Sequence, residues 1–449
     1  MNHTYEKGKE LKILFTLMVP ILAEQILRSL IGTVNTFMLS RISDQASAAV
    51  GVANQIMTVI IIAATIIASG SAIVINQYLG AGKRREAAHI VMNSLTISGL
   101  IGLIMSIIVV SCSTGMIRLM GLDEELVEIA ATYLRIVGIS CMIQFVSSAI
   151  STYFRCYQKP AVALLVIIFT NILNLTGSLC VVNNVFNGFL EGVAGIATVR
   201  LFSEMCGLIL IILILLKQDW GLRIKDMFRM EKEYVIQILR LGFMSGVEGI
   251  CYNTAQLIST SFITGLPSVV LSAKVYVQTV NTYTYVAGQA VGMSAQIMTG
   301  HMIGADERDR AYKFVNKSWF LVLGFNVLFS LIFYLNAHHI IGIFTDSEEI
   351  IAIARTLFMI DIFTCIARSL NHTFNFGLRS AGFIFWPMII AACSILSIQI
   401  GMAYMTSVHL GLGVIGIWLA QTTDEWIRGS CACVFWLKKK WMKINLVKD

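Results

Sequence analysis

Long apolar runs broken by short polar clusters recur along the whole chain. Runs of about 20 residues, the length that crosses a bilayer as a helix, lie near 14–39, 48–75, 90–112, 129–152, 161–182, 192–216, 235–263, 269–298, 316–335, 351–375, 383–406 and 412–436. The pattern predicts an all-α integral membrane protein with twelve transmembrane spans. The first run lacks a small-residue cleavage site followed by a soluble domain, so it reads as a span rather than a secretion signal.

The connections alternate in charge. Lys7, Lys9 and Lys12, then Lys83 to Arg85, Arg155 and Lys159, the stretch from Lys217 to Arg240, Arg308 to Lys317, Arg379 and finally Lys438 to Lys443 fall on one side. Asp44, the cluster Asp123 to Glu128, and Asp346 to Glu349 fall on the other. By the positive-inside rule both termini are expected in the cytoplasm, the protein being multi-pass in the cytoplasmic (inner) membrane. Composition agrees: 57% of the 449 residues are hydrophobic and 13% charged, with a mean hydropathy of +0.77. The net charge of +7 is then accounted for by topology and by attraction to membrane lipids, with no need for nucleic acid. The ten cysteines lie mostly inside apolar runs, so neither disulfides nor a metal site is expected. No phosphate-binding loop, zinc-binding helix or catalytic cluster is visible, and neither an enzyme nor a cofactor is expected.

Sliding the chain against itself by 224 residues lays "QYLGAGKRREAAHIVMNS" over "HMIGADERDRAYKFVNKS", pairing Gly80 with Gly304, Ala81 with Ala305, Arg84 with Arg308, Ala87 with Ala311 and Ser94 with Ser318. The same shift lays Glu124 and Glu125 on Glu348 and Glu349, and Arg155 on Arg379; a shift three residues shorter lays "GVAGI" (192–196) on "GVIGI" (413–417). An internal repeat of this kind predicts two pseudo-symmetric six-helix bundles around a central cavity. The expected division is 1–216, a basic linker 217–234, and 235–449.

The 224-residue shift also lays Glu24 on Glu248. A charge in mid-bilayer costs about 2.5–3.5 kcal/mol on insertion scales, so such residues turn inward or toward water. Glu24 and Arg28 are one helical turn apart, and two readings stand side by side: an internal ion pair that keeps the helix insertable, or a carboxylate that exchanges Arg28 for a proton or a substrate. Glu248 has Tyr252 at i+4 rather than a base, so its own helix does not neutralise it. Either it binds a proton and a cationic substrate in turn, or it pairs with another helix, for which Lys274 and Arg368 are the candidates. Tyr252 and Ser259 share its face and are expected to line the same wall. If unpaired, Lys274 and Arg368 favour an anionic or zwitterionic substrate. Asp361 is a further intramembrane acid. Arg200 with Glu204, and Asp424 and Glu425 with Arg428, read as self-paired charges on spans six and twelve. Trp436 and Trp441 beside Lys438 to Lys440 read as interfacial anchors.

Taken in order, "P-x4-Q" (Pro20, Gln25), "VNTFMLSRI", "QYLGAG", "FR" at 154–155, "GVAGIA", "GQAVGMSAQIMTGHMIGA", "GLRSAG" and "GVIGIW" resemble the MATE (multidrug and toxic compound extrusion) transporters of the MOP flippase superfamily. The resemblance implies secondary active efflux by alternating access: small amphipathic, often cationic compounds leave against an inward flow of protons or sodium ions. It also implies that Pro20 bends the first span during the cycle. Many members carry an aspartate late in that span where this chain has Asn35. An amide takes up no proton but offers a carbonyl oxygen to sodium, and Glu24, three turns earlier on nearly the same face, is placed to inherit the proton. A flippase for a lipid-linked saccharide or other amphiphile is the alternative within the superfamily. One chain contains both halves, so a monomer suffices.

Overall fold

A computed structural model describes residues 8–40, 43–185, 190–218, 220–227, 229–263 and 266–447, without the side chains of 31–37, 40, 44 and 224. The fold is helical, and no strand occurs among the described residues. In chain order the helices are α1 (Glu10–Ser40), α2 (Asp44–Gly80), α3 (Arg84–Leu119), α4 (Glu124–Ile139), α5 (Cys141–Cys156), α6 (Pro160–Val182), α7 (Gly192–Leu216), α8 (Lys232–Ser261), α9 (Ser268–Gly304), α10 (Arg308–Leu335), α11 (Ala337–Gly342), α12 (Glu348–Ser380), α13 (Phe385–Cys393), α14 (Ile400–Tyr404) and α15 (Gly413–Leu437). Segments with the wider π-helical spacing follow α13 at Ser394–Gln399 and α14 at Met405–His409.

Among the described residues, nine helical stretches are long and apolar enough to cross a membrane, and the pair α4–α5, bent by 44°, makes a tenth. The remaining two stretches of the expected twelve, α9 and α15, are as long but more polar. α15 carries Asp424, Glu425 and Arg428, all buried, so its charges are matched inside the protein rather than by lipid.

Proline punctuates these helices consistently. Pro160 opens α6, where its missing N–H costs nothing, and Pro267 immediately precedes α9. Pro20 is different: it lies inside the 31-residue α1, where it removes a backbone hydrogen bond.

The repeat extends to the backbone. Left-handed φ values recur at Gly82 (75°) and Asp306 (60°), and at Gln158 (58°) and Gly382 (77°), each pair 224 residues apart; Gly192 (57°) and Gly413 (54°) follow the shorter shift of 221. Corresponding helices in the two halves therefore begin or end at turns of the same hand, even where a non-glycine residue must adopt the strained conformation.

The chain divides into two compact units: one of residues 1–22, 76–82 and 244–449, the other of 23–75 and 83–243. In the first, Leu14, Leu17, Met18 and Ile21 of α1 pack with Ala295, Met298, Phe314, Phe374 and Leu378. The last turns of α2 and α9 cross there with almost no separation. A Cβ built on Gly80 would lie 2.1 Å from the His301 carbonyl oxygen, and one on Gly304 would lie 2.0 Å from that of Gln77. Because backbone, not a movable side chain, occupies the space, Gly80→Val is expected to cost more than the ~1–3 kcal/mol of ordinary overpacking. A thermal melt of the detergent-purified variant checks this, and an unchanged midpoint contradicts it.

The tryptophans near the end of the chain depart from expectation. Trp436 and Trp441 are buried, with ring centroids 4.1 Å apart and planes within 8°. Their indole N–H groups donate to Asn316 Oδ1 and to the Trp436 carbonyl. Lys439 takes a left-handed conformation (φ 56°) that folds the following turn back, so both rings find internal partners and serve as core rather than interfacial anchors.

In the second unit, the segment after α7 is fastened down. Trp220 stacks on Tyr157 at 4.6 Å and meets Tyr153 and Phe154 edge-on. Arg85 pairs with Asp226 at 3.0 Å, and His89 Nε2 lies 2.9 Å from the Arg229 carbonyl oxygen.

Candidate functional site: two repeated carboxylate clusters

In the first unit, Glu248 of α8 meets arginines from two other helices. Its Oε2 lies 2.6 Å from Arg379 Nη2 of α12, and its Oε1 lies 2.6 Å from Arg428 Nη1 of α15. Asn375 donates to the same Oε2 at 3.0 Å. Arg428 also reaches Asp424 at 2.7 Å and Glu425 at 3.1 Å. Asp424 accepts a 2.6 Å hydrogen bond from Ser394, the first residue of the π-helical segment, a distortion that frequently marks functional sites. Asn371 donates to Glu425 at 3.0 Å, and Arg368 lies 3.8 Å from it. Three carboxylates thus face three guanidinium groups, with no side chain more than 17% exposed, where an uncompensated charge is costly.

The supporting residues come from one helix because of its spacing. Asp361, Thr364, Arg368, Asn371, Asn375 and Arg379 follow one another at intervals of three or four, which places them on one face of α12. Asn371, Asn375 and Ser394 escaped the sequence reading, although this polar stripe inside an apolar span was the available signal.

Lys274 and Arg368 are not the partners of Glu248. The Lys274 ammonium donates to the Thr260 hydroxyl, while Arg368 goes to Glu425 and also lies 5.7 Å from the ring of Tyr285. Asp361 accepts from the Asn281 amide. The Tyr252 hydroxyl accepts from Gln256 at 2.9 Å and Gln421 at 3.2 Å. Ser259, expected on the same wall as Tyr252, is fully buried.

In the second unit, Glu24 is buried at 1% exposure and its Oε1 accepts from Arg28 Nη2 at 2.9 Å and Nε at 3.2 Å. Its Oε2 lies 3.8 Å from Arg155 Nη1 and has no hydrogen-bond partner among the described residues. The pair Glu24–Arg155 maps onto Glu248–Arg379 by the 224-residue shift in both members. Each half therefore joins its first helix to the last turn of a later one, α5 or α12, through the same ion pair. Arg200 bonds Glu204 at 3.1 Å, the Tyr133 hydroxyl at 2.9 Å and Asn54 at 3.3 Å. The i, i+4 pairings expected on α1, α7 and α15 are thus present. The Asn35 side chain lies outside the described residues. Pro20 stands two residues before the point where α1 passes from one compact unit to the other.

The profile of the MatE family matches the chain twice, over residues 20–180 and 245–405, one match in each half. The uncharacterized transporter YisQ of Bacillus subtilis (strain 168) is 33% identical over 96% of this chain and 95% of its own. The probable multidrug resistance protein NorM of Thermotoga maritima is 24% identical over 96% and 93%. Among solved structures, the outward-facing conformation of a multidrug resistance MATE family transporter superposes with a TM-score of 0.87 at 19% identity, covering 96% of each chain. With a doubled helical fold, a repeated ion pair and a family match in both halves, the chain belongs to the MATE family of membrane transporters.

Proposed function

We propose that this protein is a secondary active exporter of small amphipathic compounds, working by alternating access against protons or sodium ions, with Glu248 as the coupling carboxylate. It acts as a monomer in the cytoplasmic membrane with both termini inside, the orientation favoured by its loop charges. The observation that carries the reading is the unequal sharing of Glu248 between two arginines. Arg428 keeps Asp424 and Glu425 when Glu248 is neutralised, whereas Arg379 has no other carboxylate within ion-pair distance among the described residues. Binding a proton or a sodium ion at Glu248 therefore strands Arg379, and a stranded guanidinium in low dielectric favours a second conformation. Two states biased by one ion are the requirement for coupled transport. The repeated pair Glu24–Arg155 gives the other half a similar element.

Everted membrane vesicles loaded with the protein test this, with proton and sodium gradients imposed separately and uptake of several fluorescent amphiphiles followed. Uptake driven by one gradient names the ion. Failure of both gradients with every compound removes the exporter reading and leaves the lipid-linked saccharide flippase in its place.

A further inference from the structure

The segment that leads into α8 is fastened to α3, and one of the fastenings can change its charge. Between the end of α7 at Leu216 and the start of α8 at Lys232, the Trp220 ring stacks on Tyr157, and Arg85 donates to the Gly221 carbonyl and to Asp226, both at 3.1 Å. Farther along, the Thr96 hydroxyl donates to the Met227 carbonyl at 3.1 Å. His89 supplies the contacts nearest α8. Its Nε2 lies 2.9 Å from the Arg229 carbonyl oxygen, and its Nδ1 lies 3.4 Å from Glu231 Oε1.

Both ring nitrogens of His89 therefore face acceptors. A neutral imidazole carries one N–H and one lone pair, whereas the imidazolium carries two N–H groups. Only the charged ring donates to the carbonyl and the carboxylate together. In the neutral ring one contact sets a lone pair against an oxygen, and the attraction to Glu231 is gone. Water does not freely replace the lost partner, because the His89 side chain is only 12% exposed and the Tyr234 ring meets it edge-on at 5.9 Å.

The neighbouring charges are committed elsewhere or lie along the same segment. On α3, Arg85 pairs with Asp226, and Glu86 stands three residues before the ring. α5 runs antiparallel to α3, with Gly99 at Val146 and Gly102 at Phe145, so its last turn brings Arg155 and Tyr157 to the level of His89. Those two reach Glu24 and Trp220. α8 opens with Lys232, Glu233 and Tyr234. Among the described residues, Glu231 is the carboxylate within ion-pair distance of the ring.

We propose that His89 is a protonation-controlled latch: its imidazolium holds Arg229 and Glu231 against α3, and loss of the proton releases them and loosens the entry to α8. The contacts fix the sign. The latch is closed on the acid side and open on the alkaline side of the range, about pH 5 to 8, in which histidine changes charge. The other ties are a ring stack, an arginine–carboxylate pair and a hydroxyl–carbonyl bond, and none of them uses a histidine. The latch stands apart from the transport reading; only the compartment whose pH it senses, the cytoplasm, follows from the orientation proposed above.

Limited trypsin digestion of the detergent-purified full chain reads the latch. Arg223, Lys225 and Arg229 are cleavage points within the segment, and cleavage tracks the population of the open form when opening is fast. Rates of cleavage there, identified by fragment mass, are measured at about pH 6 and about pH 8.5, near the two ends of the histidine range. Each is divided by the rate for an unstructured peptide in the same buffer, which removes the pH dependence of the protease. The expected result for wild type is a rise of about threefold or more between the two, the scale of one partly exposed ion pair. His89→Gln has no titrating ring, so its ratio should be equal at both. In Glu231→Gln the amide accepts from the imidazolium or donates to the neutral ring, so the rise should vanish there too. A thermal melt verifies folding, and Glu231→Gln carries the test alone if His89→Gln does not fold. A flat ratio in wild type overturns the proposal, and so does a rise that persists in either folded variant.

Discussion

Glu248→Gln is expected to abolish gradient-driven transport while leaving the protein in the membrane. Glutamine keeps the size of the side chain and can still accept from Asn375, but it takes up no proton and no longer attracts Arg379 or Arg428. The variant is thus fixed in the neutralised state, in which Arg379 has lost its ion-pair partner. Uptake in everted vesicles should fall to the level of empty membranes under either ion gradient, a loss of about two orders of magnitude if one essential two-state element is removed. Folding should suffer less, because Arg428 keeps two carboxylates. Adding Arg379→Gln removes the stranded charge. The double variant should recover thermal stability without recovering transport, since the ion then has nothing to displace. Normal uptake by Glu248→Gln would reject the assignment of the coupling site.

The difference between what the chain disclosed in sequence and what it did not follows from the range of the interactions. Glu24 with Arg28, Arg200 with Glu204, and Asp424 with Arg428 were legible because i, i+4 neighbours meet on any helix. The partners of Glu248 were not, because they lie 131 and 180 residues away and depend on how α8, α12 and α15 pack. The repeat held a usable clue: Glu24 on Glu248 and Arg155 on Arg379 share one shift, and a charge pair duplicated as a pair points to a contact. Lys274 and Arg368 were drawn toward Glu248 by sign alone, while Thr260 and Glu425 were nearer. Trp436 and Trp441 misled because tryptophan beside lysine is the signature of a membrane interface. Only the left-handed turn at Lys439, which folds Trp441 back onto Trp436, reveals their burial.

The largest effect on stability is expected from Arg428. Its guanidinium, 5% exposed, lies within 3.1 Å of Glu248, Asp424 and Glu425. Arg379 and Arg368 cover Glu248 and Glu425 in part, but Asp424 has no other basic partner within ion-pair distance among the described residues. Breaking a buried pair by deleting one member costs about 3–5 kcal/mol, and here three carboxylates lose a partner at once, against a total stability of ~5–15 kcal/mol for an ordinary domain. Arg428→Gln should therefore yield little folded protein, read as loss of the monodisperse peak in size-exclusion chromatography. Arg428→Gln combined with Asp424→Asn should regain much of that peak, because the asparagine can still accept from Ser394 and carries no charge. Recovery in the double variant identifies uncompensated charge as the cause. Equal failure of both would instead assign the loss to the shape of the arginine side chain, which reaches from α15 to α8.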